Sequence, residues 1–273
     1  MGIGFDLTHP LGWQAALAAL EWQRDMGVSE VVAEAPASAF DLPDEPPWKA
    51  GAAARAPARA ATTPPSGPVA PPDPVDAART AAAGAGTLEE LRAALAAFPH
   101  CELRQGARNT VFADGVAGAR TLILGEAPGR EEDLEGRPFV GEAGRLLDRM
   151  FAAIGLSRKA PDRDAALYIT NVCPWRPPGN RAPTPAEIAL FRPFVERHIA
   201  LADPAIIVVM GNTPLQALMN RGGILSARGT WVQVLDRPVL PMAHPAYLLR
   251  NPAAKREAWA DLLSLQARLR TAP

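Results

Sequence analysis

The sequence predicts an α/β fold, a three-layer α/β/α sandwich around a central four-stranded parallel sheet. Four short, nearly continuous apolar runs carry this reading: TLILGE at 121–126, ALYITNV at 166–172, AIIVVMG at 205–211 and PVLPMAHP at 238–245. Stretches of helical length and spacing separate them: AGRLLDRMFAAIGL, TPAEIALFRPFVERHIAL and TPLQALMNRGG. Strands that are apolar on both faces and alternate with helices belong to a parallel sheet covered on each side.

From the N-terminus, residues 11–26 place apolar residues near helical spacing and stop at Gly27, so 1–34 reads as a short helical segment. Eleven prolines fall between Pro36 and Pro74, among Ala, Gly and Thr. Such a composition buries too little apolar surface to offset its ordering entropy, and 35–86 reads as a disordered linker. The folded domain is expected over 87–273. It opens on TLEELRAALAAF, where Thr87 and Glu90 form a capping box. Thr184-Pro185-Ala186-Glu187 is a helix start of the same kind with proline at the first position, and Thr213-Pro214 repeats the device.

Composition narrows the function. The 273 residues are 48% hydrophobic with a net charge of −1. That balance hides an asymmetry: residues 1–100 carry 6 Lys and Arg against 12 Asp and Glu, and 101–273 carry 22 against 17. A basic C-terminal part suits an anionic partner. Two cysteines make no disulfide framework. The N-terminus lacks the basic start of a secretory signal, and no apolar run reaches transmembrane length. A cytoplasmic protein without a membrane partner is the expectation.

Each strand run ends in an unusual residue at the edge where open α/β sheets bind ligands. The first ends in Gly125-Glu126-Ala127-Pro128-Gly129, the second in Asn171 followed by CPWRPPGNR, the third in Gly211-Asn212, the fourth in His244-Pro245. No Gly-Lys-Ser/Thr follows the glycines, so a Walker loop is excluded, and the spacing is wrong for a dinucleotide fingerprint. No Gly-x-Ser-x-Gly elbow occurs. The four histidines are scattered, unlike a zinc site. What remains is a carboxylate, an amide, an imidazole and the aromatic Phe139. An amide reads a base edge, an aromatic stacks on a base, and an imidazole stabilises a developing oxyanion. Taken singly, each has a plainer use: Phe139 as core, His244 as a turn cap, Asn171 as a turn residue, Glu131 and Asp133 as a solvated helix start.

GEAPGREEDLEGRPFVGEAGRLLDRM, YITNVCPWRPPGNRAPTPAE and HPAYLLRNP, in this order and spacing, resemble the signature motifs of the family 4 uracil-DNA glycosylases. The resemblance covers roughly 98–270 and not the N-terminal part. It implies base excision repair: uracil is flipped out of DNA and its N-glycosidic bond hydrolysed, leaving an abasic site. Carried onto this chain, Phe139 stacks on uracil, Asn171 bonds its polar edge, and Glu132 crowds C5 against thymine. His244 donates to the leaving base, while Glu126 and the backbone around Ala127 hold the water. HPAYLLR becomes a minor-groove loop with Leu248 or Leu249 as the wedge, and Arg176, Arg181 and Arg250 become phosphate contacts.

Many members of that family hold a four-iron, four-sulfur cluster on four cysteines. The matching positions here read Phe98, Cys101, Trp175 and Phe191. One ligand is left, with Cys173 near the third position, so no cofactor is expected and the aromatics are read as a hydrophobic plug. Two further readings stay open: a weakly active or inactive homologue that binds uracil-containing or abasic DNA or a repair partner, and, more remotely, a nucleoside hydrolase. A monomer is expected, with the acidic N-terminal arm as a possible recruiter of a repair or replication partner.

Overall fold

The computed structural model describes residues 73–271, and the helix read at 11–26 lies outside them. The described residues begin inside the segment assigned to the linker. Helix α1 spans Pro74–Ala83, with Asp73 accepting from the Val75 N–H at 2.9 Å and Pro74 at the first turn. The linker boundary at 86 is therefore corrected. Proline content dominated the sequence reading, whereas 74–83 is an alanine-rich helix former. Ala78 and Ala82 are buried, and α1 packs on a later helix, Pro185–Ala202.

Helices α2 (Leu88–Ala97) and α3 (Leu103–Gly106) follow, then strands β1 (Ala113–Gly115) and β2 (Thr121–Gly125). Next come α4 (Arg130–Glu135), α5 (Glu142–Ala152), β3 (Leu167–Asn171), α6 (Pro185–Ala202) and β4 (Ile206–Met210). The chain finishes with α7 (Asn212–Met219), α8 (Ile224–Ala227), β5 (Val232–Val234), β6 (Arg237–Met242), α9 (Pro245–Arg250) and α10 (Lys255–Thr271). The Thr87 and Thr184 capping boxes both form, and α6 runs through Pro193 without a break.

The sheet order is β1-β3-β2-β4-β6-β5. β3, β2, β4 and β6 are the four parallel strands of the sequence reading. β1 and β5 add antiparallel edges that the sequence did not signal, because three residues are too few to show a period. Alternate residues feed opposite faces. Leu122, Leu124, Ile207 and Val209 join Leu91, Phe191, Phe194 and Leu215 on one side. Ile123, Ile169, Val208 and Met210 join Leu147, Phe151, Leu262 and Leu265 on the other. Among the described residues, no helix is long and apolar enough to cross a membrane.

A buried polar cluster lies under α6. The His198 Nε2 and Tyr168 hydroxyl are 2.8 Å apart, and the imidazole stacks on Phe112 at 4.4 Å between centroids. Burial lowers His198 to about 4 and holds the Tyr168 phenol well above its usual value. The unfolded chain then binds a proton that the folded one refuses as pH falls below about 6.5, so stability is lost towards pH 4. This amounts to about 2 kcal/mol at pH 5. Denaturant melts of the wild type and His198→Asn at pH 7 and pH 5 check it: the variant shows the smaller acid penalty.

Candidate functional site

The parallel strands end along one edge, and the loops beyond them enclose a cleft of about 660 Å³. β2 delivers Glu126 and Ala127, β3 ends on Asn171, β4 leads to Gly211, and β6 delivers His244. Glu132, Phe139, Arg181 and Arg250 also line the cleft. Of the residues selected from sequence, Arg176, Leu248 and Leu249 do not. Asn212, Leu225 and Tyr247 line it without having been selected. Single residues in short loops carry no period, so only their position in space reveals them.

The floor is set by close approach. A Cβ on Gly125 would lie 2.4 Å from Asn171 Oδ1 and 2.5 Å from Phe139 Cε2, so the amide and the ring both rest on the end of β2. Phe139 has φ of 53°, left-handed backbone that costs a bulky residue about 1–3 kcal/mol. A Cβ on Gly144 would sit 1.8 Å from the Phe139 carbonyl oxygen, so α5 can approach this turn only through a glycine. Among the described residues, the side chains of Asn171 and Glu126 make no hydrogen bond to protein, which leaves both for a ligand.

Glu132 is fully engaged. Its Oε2 accepts from the Gly129 N–H at 3.0 Å, and its Oε1 from the N–H groups of Val140 and Gly141 at 3.0 and 2.9 Å. The side chain thus joins the Gly129 turn to the chain just after Phe139 and cannot swing out of the cleft. Asp133, read as solvated, is buried: its Oδ1 accepts from the Arg108 and Asn109 N–H groups at 2.8 and 3.1 Å. That expectation is corrected, because the turn at 108–109 folds over α4 and needs an acceptor. Glu131 is exposed, 3.5 Å from Arg145.

His244 caps α9: Nδ1 accepts from the Ala246 N–H at 3.1 Å, which places the proton of the neutral ring on Nε2. Its ring stacks beside Phe139, with centroids 5.4 Å apart. Burial lowers the imidazole to about 4; the Arg250 charge adds to this and Glu132 opposes it. At neutral pH the group is an uncharged N–H donor.

HPAYLLR is a helix, not a loop, and this decides between its two leucines. Leu248 is fully buried among Leu146, Ala243 and Ala258, so it is withdrawn as a wedge. Leu249 is half-buried. Leu225 on α8 is 52% exposed. Asn212 Oδ1 holds the start of α8, accepting from Gly223 and Ile224 N–H at 3.2 and 2.9 Å. Arg181 forms a two-toothed pair with Glu187 at 2.8 and 2.7 Å, which draws the Glu187 carboxyl down to about 2. Arg176 donates to Asn180 Oδ1 at 2.7 Å, and Arg250 is exposed.

Phe98, Cys101, Trp175 and Phe191, which the resemblance sets at cluster-ligand positions, are all buried in one core. The Trp175 and Phe191 rings meet edge to face at 5.6 Å, and Phe98 meets Phe194 in the same way at 5.2 Å. Cys101 and Cys173 are buried free thiols, both raised by desolvation, Cys173 strongly.

The model of the uracil DNA glycosylase superfamily matches residues 112–263. A type-4 uracil-DNA glycosylase of Thermotoga maritima is 39% identical over 154 residues, 55% of this chain and 77% of its own. One from Archaeoglobus fulgidus is 36% identical over 170 residues, 59% of this chain and 82% of its own. One from Sulfurisphaera tokodaii is 36% identical over 180 residues, 62% and 79%. With a family match over more than half its length and these relatives, the chain belongs to the uracil-DNA glycosylase superfamily.

Proposed function

We propose that this chain is a uracil-DNA glycosylase of base excision repair. The observation that carries the reading is the convergence of Glu126, Asn171, Phe139 and a neutral His244 in the lining of one cleft. A uracil flipped out of DNA lies on Phe139, while the Asn171 amide offers a donor and an acceptor to its O4 and N3–H edge. Glu132, tied at both oxygens, is a fixed wall beside C5 that leaves no room for the thymine methyl.

When the N1–C1′ bond breaks, its electron pair passes to the base and the negative charge gathers on O2. His244 donates from Nε2 to that oxygen without having to give up a proton, as preorganised donors do. Water bonds to C1′ and its proton leaves with the departing base or to solvent. Glu126, unpartnered among the described residues, is the acceptor that orients the water, brought up by the turn at Ala127. Arg176, Arg181 and Arg250 are proposed as backbone contacts, with Arg181 exchanging Glu187 for phosphate.

The chain is further proposed to work without an iron-sulfur cluster. Packed aromatics at three of the four ligand positions, and thiols kept protonated by burial, support this. Protein purified anaerobically is expected to carry no stoichiometric iron or acid-labile sulfide; a content of about four of each per chain would overturn it.

Excision on a labelled oligonucleotide with one uracil, opposite G or A or unpaired, tests the reaction, with thymine as control. Cleavage at uracil alone is expected. His244→Ala is expected to lose about 10²- to 10³-fold in kcat with DNA binding kept. kcat/KM should stay level from pH 8 to pH 5 and fall as pH drops to about 4, because a protonated Nδ1 would face the Ala246 N–H. With Leu248 buried, the wedge falls to Leu249, with exposed Leu225 as a second apolar contact. Alanine at either is expected to slow excision from duplex by about tenfold and to leave single-stranded substrate unaffected, since only the duplex must be unstacked.

A further inference from the structure

Phe139 does not hold its own conformation. Behind it, in the connection between α5 and β3, lies Arg158, with 7% of its side chain exposed. Its guanidinium makes four hydrogen bonds at 2.9 Å. Nε donates to Asp148 Oδ1 on α5, and Nη1 to Asp114 Oδ2 on β1. Nη1 also donates to the Pro138 carbonyl and Nη2 to the Phe139 carbonyl. The two carboxylates neutralise a charge that could not otherwise be buried, and they fix the plane of the fork. The remaining donors then address the two carbonyls that flank the left-handed residue. Glu132 holds the following residues, Val140 and Gly141, from the other side. The aromatic ring is therefore suspended between the buried Arg158 cation, on the Pro138 and Phe139 carbonyls, and the half-buried Glu132 carboxylate, on the Val140 and Gly141 amides.

We propose that Arg158 is a positioning residue for the base-stacking platform: by donating to the carbonyls of Pro138 and Phe139 it sets the left-handed turn that turns the Phe139 ring onto Gly125 and into the cleft. This rests on reading Phe139 as the surface on which uracil stacks. Arg158 touches neither substrate nor reacting atoms. Its effect passes entirely through Phe139, which separates it from a residue that merely stabilises the fold. Neutral hydrogen-bonding side chains lack the planar fork that reaches two carboxylates and two carbonyls at once. Asp114 and Asp148 belong to the same device, since without them the guanidinium has no reason to stay buried.

A double-mutant cycle on the full chain tests this. Arg158→Gln is expected to lower kcat/KM on a single-uracil oligonucleotide by about 10- to 100-fold, the scale of a small misplacement of a binding group, with affinity for undamaged DNA unchanged. In a Phe139→Ala background the same substitution is expected to cost nothing further. If it costs the same factor with and without Phe139, the proposal is overturned and Arg158 is structural. Should Arg158→Gln not fold, Asp148→Asn at a half-exposed position enters the same cycle, with a smaller loss that must also vanish in the Phe139→Ala background. NMR reads the platform independently of turnover. The His244 ring protons lie in the ring current of Phe139 and are expected to move towards uncoupled values in Arg158→Gln. Unchanged shifts would overturn the proposal, whereas a wild-type chain that leaves uracil uncut while the shifts move would overturn the enzymatic reading alone.

Discussion

The end of β2 has no room for a side chain, and the cleft is built around that fact. The Asn171 amide and the edge of the Phe139 ring both press on Gly125, closer than any Cβ would allow. Parallel pairing of β2 with β3 sets Gly125 opposite Asn171, so the amide arrives there by register. The ring arrives from outside the sheet and has to be forced into place. Any larger residue at 125 would push amide and aromatic apart and dismantle the surface on which a flat ligand could lie.

Forcing the ring into place takes strained backbone, and the surroundings over-determine it. A left-handed phenylalanine, a glycine that admits the Phe139 carbonyl against α5, a carboxylate with three backbone N–H partners and a guanidinium with four acceptors all meet within a few residues. Strain of this kind persists only where packing and hydrogen bonds leave no alternative. It also explains why so many charged residues sit in the motif that follows β2. Glu132 and Asp133 work on backbone amides, Glu131 faces solvent, and Glu126 lines the cleft with no side-chain hydrogen bond among the described residues.

His244 combines two uses that the sequence posed as rivals. It caps α9 through Nδ1, and the same bond leaves the proton of the neutral ring on Nε2, in a side chain that lines the cleft. The cap thus selects the tautomer, and burial selects the charge state. At the positions that the family resemblance matches to cluster ligands, three aromatic rings and the Cys101 thiol pack into one apolar core.

The sequence by itself determined the four parallel strands, the major capped helices, and the presence of Glu126, Phe139, Asn171 and His244 at one cleft; Glu132, Arg181 and Arg250 came from the family resemblance. Continuous apolar runs, capping boxes and residues fixed at strand ends are local signals, readable wherever a strand must be buried on both faces. Only the tertiary structure decided that 74–83 is helical, that Asp133 is buried, that Leu248 faces the core, and that Arg158 reaches the chain beside Phe139. Each of these depends on what packs against the residue from a distant part of the chain. The burial of Leu248 follows from Leu146 and Ala258 on α5 and α10. The place of Arg158 follows from Asp114, some forty residues earlier. Contacts of that range leave no period and no motif in the sequence, because their partners are set by the closure of the fold.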